Sequence, residues 1–189
     1  AFSTLLGTEK TFSFGFPQIE PTYYYLPVQS DGWEPFNNSQ KAFTRSALEY
    51  IASLVDITFT EVTDVEKPNT LSFVNVSKEP NNVGGSAYLP NSDWPLLASD
   101  VFIDKENDGV AHPGVFSPQE RTYEAYLWMH EIGHALGLKH PHQYKYFLPT
   151  SEDKASLSVM TYQPWWDKDD GNPLLTFSVL DIAALQYLY

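Results

Sequence analysis

Apolar and polar positions change period several times along this 189-residue chain. Residues 11–16, Thr-Phe-Ser-Phe-Gly-Phe, alternate and predict a first strand with one buried face. Residues 17–37 lose the alternation, are rich in Pro, Tyr and Asn, and read as a loop. The run Tyr23-Tyr24-Tyr25 within it fits packing beneath that loop better than a sticky surface patch. Ala42, Phe43, Ala47, Leu48, Ile51 and Leu54 recur at helical spacing, with Asn38 or Ser39 as the N-cap. Strand-like runs follow at Asp56–Val62, Leu71–Val76 and Asp100–Asp104, and Ser86–Leu89 is a short candidate strand between Gly84-Gly85 and Pro90. Residues 105–119 read as a Gly/Pro-rich loop.

A second helix starts around Gln119 to Thr122 and ends at Gly137, with Ala125, Leu127, Trp128, Ile132, Ala135 and Leu136 as its apolar surface. Residues 141–177 look irregular. Ser178-Val179-Leu180-Asp181 has the form of a capping box, and Ile182, Ala183, Leu185 and Leu188 continue it as a short terminal helix. The whole reads as one α+β domain over residues 1–189: a twisted mixed sheet, two long helices and a small irregular C-terminal lobe with a terminal helix. The lobes divide at about 1–137 and 138–189.

The second helix carries the chemistry. His130-Glu131-Ile132-Gly133-His134-Ala135-Leu136-Gly137-Leu138-Lys139-His140 sets three imidazoles and a carboxylate close together. His130 and His134 are four residues apart and project from one helix face. Glu131 can reach a metal-bound water without being a ligand. Gly137 takes a left-handed conformation cheaply, so the chain can turn and return His140 as a third ligand, leaving an open fourth position of the kind a catalytic zinc (Zn2+) needs. His142 is an alternative third ligand, which the Gly-x-x-His spacing disfavours; His112 is a spare histidine.

This run, followed by Ser158-Val159-Met160-Thr161-Tyr162, resembles the metzincin signature. With Pro141 directly after the third histidine and the ending Thr176–Tyr189, the chain is similar to the serralysins, secreted bacterial zinc endopeptidases. The resemblance covers most of the chain and is strongest over Tyr126–Tyr189; Phe36–Val62 is also family-like. It implies a zincin/metzincin-like fold whose cleft is floored by the zinc helix, and a zinc-dependent endopeptidase that hydrolyses extended polypeptide through a Glu-activated zinc-bound water. Glu131 would be the general base. Tyr162 would ligate zinc at rest and then donate a hydrogen bond to the developing oxyanion. Met160 would form an apolar floor under the ligands. Gly85, Ser86, Ala87, Tyr88 and Leu89 would be the sheet edge on which substrate binds as an added strand, with an ordinary interior strand as the alternative. Pro164, Trp165 and Trp166 would wall a side-chain pocket, or serve as core or rim aromatics.

Composition adds exclusions. The chain contains no cysteine, which removes thiolate sites and a Cys nucleophile and argues against the disulfide-bearing metzincins. A net charge of −13 disfavours nucleic acid as a partner. No apolar run is long enough to span a membrane, and Ala1–Thr8 lacks a signal-peptide pattern. Asp104–Gly109 has calcium-loop character but carries Val115 where the twelfth-position acid belongs, and Asp167–Asn172 is acidic without a clear motif, so calcium (Ca2+) lacks a defined site. The calcium-binding repeats that follow the catalytic part of serralysins are not in these residues. The expectation is a catalytic domain, extracellular and monomeric. A non-catalytic zinc-containing binding module and a self-processing domain of a larger secreted protein are the alternatives.

Overall fold

The computed structural model describes residues 10–77, 84–90, 93–105, 116–117, 122–143, 145–163 and 176–189. Six strands form its sheet: β1 (Thr11–Gly15), β2 (Glu34–Pro35), β3 (Thr58–Glu61), β4 (Thr70–Val76), β5 (Gly85–Ala87) and β6 (Val101–Asp104). Their order is β3-β1-β4-β6-β5, with β2 also paired to β4. β3, β1, β4 and β6 run parallel, whereas β5 is antiparallel to β6 and β2 to β4. β1 pairs with the first half of β4 and β2 with the second half. Among the described residues β5 therefore ends the sheet on the side away from β3.

β4 is buried at every position because both faces of the sheet are covered. Its side chains alternate between two cores. Leu71 and Phe73, with Val101 and Ile103 of β6, join the larger cluster with Phe43, Ile51, Trp128 and Ile132. Val74, Val76 and Phe102 face a smaller one that holds Tyr23 and Tyr24. Both tyrosines are buried, as the sequence pattern implies, while Tyr25 is exposed. The phenols of Tyr23 and Tyr24 and the amide of Ser72 all donate to the carboxylate of Asp100, at 3.0, 3.0 and 3.1 Å. Burial pushes the Asp100 carboxyl well above its ordinary range, and these donors pull the other way.

Four helices complete the described residues: α1 (Pro27–Ser30), α2 (Asn38–Leu54), α3 (Tyr123–Ala135) and α4 (Val179–Leu188). Two local expectations are corrected. Residues 17–37 are not all loop, since α1 and β2 lie within them. The N-cap of α2 is Asn37 rather than Asn38 or Ser39: its side chain accepts from Gln40 N at 2.9 Å, and Gln40 Oε1 accepts from Asn37 N at 2.8 Å. Several neighbouring residues here can cap, and the reciprocal partner three positions on selects among them. The capping role expected of Asp181 in α4 is present, with Ser178 N donating to Asp181 Oδ2 at 2.9 Å.

α3 is fixed to α2 through Trp128, which is fully buried among Phe36 and Phe43. Its indole Nε1 donates to Thr44 Oγ1 at 3.0 Å, while that hydroxyl donates to Gln40 O. At the other end of α3, Tyr189 Oη donates to Leu136 O at 3.0 Å. Thr44→Val preserves the side-chain shape but leaves the buried indole N–H without an acceptor. It is expected to lower stability by about 1–3 kcal/mol, read as a lower denaturation midpoint. An unchanged midpoint would show that this bond does not anchor α3.

Candidate metal centre

α3 places His130 and His134 one turn apart on the same face. The helix then ends in a six-residue hydrogen-bonded reversal. Leu138 N donates to Gly133 O at 2.8 Å and Gly137 N to His134 O at 2.9 Å, with Gly137 at φ +94°, where a Cβ would be strained. The reversal returns the chain over the helix face, so that His140 Nε2 stands 3.1 Å from His130 Nε2 and 3.0 Å from His134 Nε2.

Counting protons shows what this cluster requires. His130 Nδ1 lies 2.9 Å from Val159 O and His134 Nδ1 lies 2.9 Å from Leu138 O. A carbonyl only accepts, so each Nδ1 carries the proton and each Nε2 presents a lone pair. His140 Nε2 can supply at most one proton to two bare nitrogens. Charging the rings is no remedy. Burial holds His130 well below its usual range, with His134 and His140 nearby adding to the shift. Burial also lowers His134, and burial with the neighbouring His134 brings His140 down to about 4. A cation at the centre satisfies all three nitrogens. Their chemistry suits zinc, whose tetrahedral bonds of about 2.0–2.1 Å would set them roughly 3.3 Å apart. Among the described residues this is the cluster able to hold a metal, its ligating atoms within 4.8 Å of one another.

The carbonyl that orients His130 is itself held in place. Asp181 Oδ2 accepts from Val159 N at 2.8 Å, and Asp181 Oδ1 accepts from Ser158 Oγ at 2.6 Å. One carboxylate thus caps α4 and secures the turn that orients a histidine. Met160 follows in that turn, buried against α3. A Cβ on Gly133 would come within 2.5 Å of Met160 Sδ, so only glycine lets the methionine lie this close.

Tyr162 is 60% exposed, with its ring centroid 4.2 Å from that of His140 and 5.8 Å from that of His130. Partial burial and then the Glu131 charge raise its pKa. Glu131 is buried on the next helix position after His130 and lies against the edge strand, since a Cβ on Gly85 would be 3.3 Å from Glu131 Cγ.

The structure therefore gathers His130, His134, His140, Glu131, Met160, Tyr162 and Gly85 around one locus. His142 lies outside the nitrogen cluster, its ring parallel to His140 at 5.4 Å. The candidate edge is shorter than expected. β5 ends at Ala87, Tyr88 adds one ladder bond to Asp100 O at 3.0 Å, and Leu89 lies beyond the strand. Tyr88 turns to the opposite face, where its hydroxyl accepts from Gln29 Nε2 at 2.7 Å. His112, Pro164, Trp165, Trp166 and the acidic segment 167–172 lie outside the described residues. Sequence reasoning missed Asp181, Asp153 and Tyr126 as parts of the site. Asp181 was legible as a cap, but its bonds to Ser158 and Val159 carry no local signal.

Comparison with known proteins agrees with this geometry. The profile of the matrixin family of peptidases matches residues 22–189. Serralysin A of Dickeya chrysanthemi is 31% identical over 203 residues, which cover 99% of this chain and 40% of that protein. Serralysin C of the same organism is 31% identical over 208 residues (99% and 40%), and the serralysin of Proteus mirabilis is 27% identical over 212 residues (98% and 41%). The chain thus spans about 40% of the length of these curated relatives.

The depressed histidines set a pH dependence for the metal-free protein. They stay neutral in the fold but protonate at about 6.5 when unfolded, so the unfolded state binds more protons below that pH. Their stabilisation is present above about pH 6.5 and is lost as pH falls; for His140, down to about 4, this is worth about 3 kcal/mol. Asp181 works in the opposite sense. Burial raises it to about 6 despite its donors, so it favours the fold on the acid side, by about 3 kcal/mol fully developed below pH 3.8. Three lowered histidines against two raised carboxylates, Asp181 and Asp100, give a net loss. The melting temperature of the metal-free protein is expected to fall between pH 6.5 and 4, and a rise over that interval would contradict the buried neutral cluster.

Proposed function

Because this chain belongs to the matrixin family and is a serralysin-like metzincin, we propose that it is a zinc-dependent endopeptidase acting on extended polypeptide. The observation that carries the reading is the convergence of three uncharged imidazole Nε2 atoms at 3.0–3.1 Å beside a buried glutamate. His130, His134 and His140 would hold the metal, and Tyr162, its ring centroid 4.2 Å from that of His140, would join them at rest. When bound, zinc supplies a Lewis acid that polarises the scissile carbonyl and acidifies a water molecule.

The chain's own residues account for the rest. Substrate would pair along the side of β5 away from β6, to which no other described strand is joined. The contact between Gly85 and Glu131 brings that edge beside the carboxylate. Glu131 then accepts a proton from the attacking water and passes it to the leaving amine. The Tyr162 phenol, protonated at neutral pH because tyrosine ordinarily titrates at about 10, donates to the carbonyl oxygen as negative charge grows there. Met160 fills the space under Gly133 without a polar group that could compete for the metal. The likeness to serralysins favours a secreted setting, and no helix among the described residues is long and apolar enough to cross a membrane.

A fluorogenic peptide assay with chelation and zinc restoration tests the reading. Activity is expected to disappear with the metal and return with it; a folded chain with one zinc and no peptidase activity would leave a binding module. Glu131→Gln should keep stoichiometric zinc and lower kcat by about 100-fold or more. Tyr162→Phe should lower kcat by about 100-fold with KM nearly constant. Turnover near that of the parent in either zinc-loaded variant would remove the role given to that residue.

A further inference from the structure

Tyr162 raises a mechanical problem. Its ring is largely exposed, yet in the proposed reaction its phenol must reach one oxygen atom at the right moment. The backbone beside it is unusually well held. Thr161 is fully buried; its carbonyl accepts from Tyr126 Oη at 3.0 Å, and its Oγ1 accepts from Gln163 N at 3.1 Å. The same hydroxyl donates its proton to Asp153 Oδ1 in a short hydrogen bond. Asp153 is buried, and its amide is tied back to Pro149 O at 3.2 Å. Its second oxygen, Oδ2, faces His142 Nδ1 at 3.5 Å. His142 in turn lies parallel to His140 and has its ring centroid 5.2 Å from that of Tyr162.

We propose that Asp153 is a positioning residue for Tyr162: one buried carboxylate joins the loop after the third histidine to the residue before the tyrosine, and so fixes the pivot from which the phenol reaches the substrate. It acts through Thr161 and His142, without touching the reacting atoms. The inference rests on the endopeptidase reading for its kinetic consequence, but the positional claim stands apart from it. If the carboxylate were present only to satisfy buried neighbours, its loss would cost stability without regard to Tyr162. If it sets the pivot, its loss matters only while Tyr162 has a hydroxyl to aim.

The test is a double-mutant cycle in the zinc-loaded protein, using Thr161→Val as the mild, shape-conserving break and Asp153→Asn as the direct one, each with and without Tyr162→Phe. Either substitution alone is expected to lower kcat about tenfold, with KM changed less than about twofold and zinc content unaltered. On the Tyr162→Phe background the further loss should shrink to less than about twofold. Equal losses on both backgrounds, or no loss with Tyr162 intact, would overturn the proposal. A second readout needs neither metal nor activity. In zinc-free protein labelled with 3-fluorotyrosine, the 19F resonance assigned to residue 162 by its disappearance in Tyr162→Phe should move toward the free-amino-acid position in Thr161→Val. An unmoved resonance would also overturn the proposal. A parent chain with stoichiometric zinc and no peptidase activity would instead sink the endopeptidase reading, and the 19F result would still decide the positional claim.

Discussion

Three nitrogen lone pairs aimed at one point are the constraint on which the rest of this structure depends. Two backbone carbonyls assign the protons of His130 and His134 to the outward nitrogens, which leaves the inward ones bare. No distribution of protons over neutral rings satisfies contacts of 3.0 and 3.1 Å among three such atoms. Burial makes a charged ring costly as well. The cluster is stable as drawn only with a cation among the rings, and the surrounding structure can be understood as what holds this unfavourable arrangement ready.

That support comes from both sides of the chain reversal. On the helix side, a hydrogen-bonded turn closed by Gly137 sets the angle at which the chain returns, and Leu138 in the same turn orients His134. On the C-terminal side, Asp181 holds Val159, whose carbonyl orients His130, while Tyr189 ties the chain end back to Leu136. The second carboxylate, Asp153, secures the next residues along the same turn. Residues around a metal site are thus oriented by partners that never touch the metal, so that the rings need not reorganise on binding. The rigidity is bought with buried charge, and the raised pKa of Asp181 reports that burden.

The sheet contributes position rather than chemistry. Parallel strands buried on both faces give α3 a fixed platform, and Trp128 fastens it to α2. Among the described strands β5, antiparallel to β6, ends the sheet where Gly85 approaches Glu131. Among the described residues no strand joins the outer side of β5, and that side lies beside the carboxylate.

Much of this was legible in the chain. The four-residue spacing of His130 and His134, the turn at Gly137 and the capping carboxylate of Asp181 are local properties, and local stereochemistry follows from residue order. The periods of Phe12–Phe14 and Leu71–Val76 likewise marked strands, because side chains alternate about a pleated backbone whatever it packs against. What lay beyond reach were relations between segments far apart in sequence. That Val159 orients His130, 29 residues away, or that Asp181 holds Val159 from 22 residues away, depends on how the terminal helix docks. The pairing of Asp153 with Thr161 was decided in the same way. Periodicity specifies which face a residue occupies, whereas a hydrogen bond has to be aimed to within a few tenths of an ångström, and only the assembled packing supplies that aim.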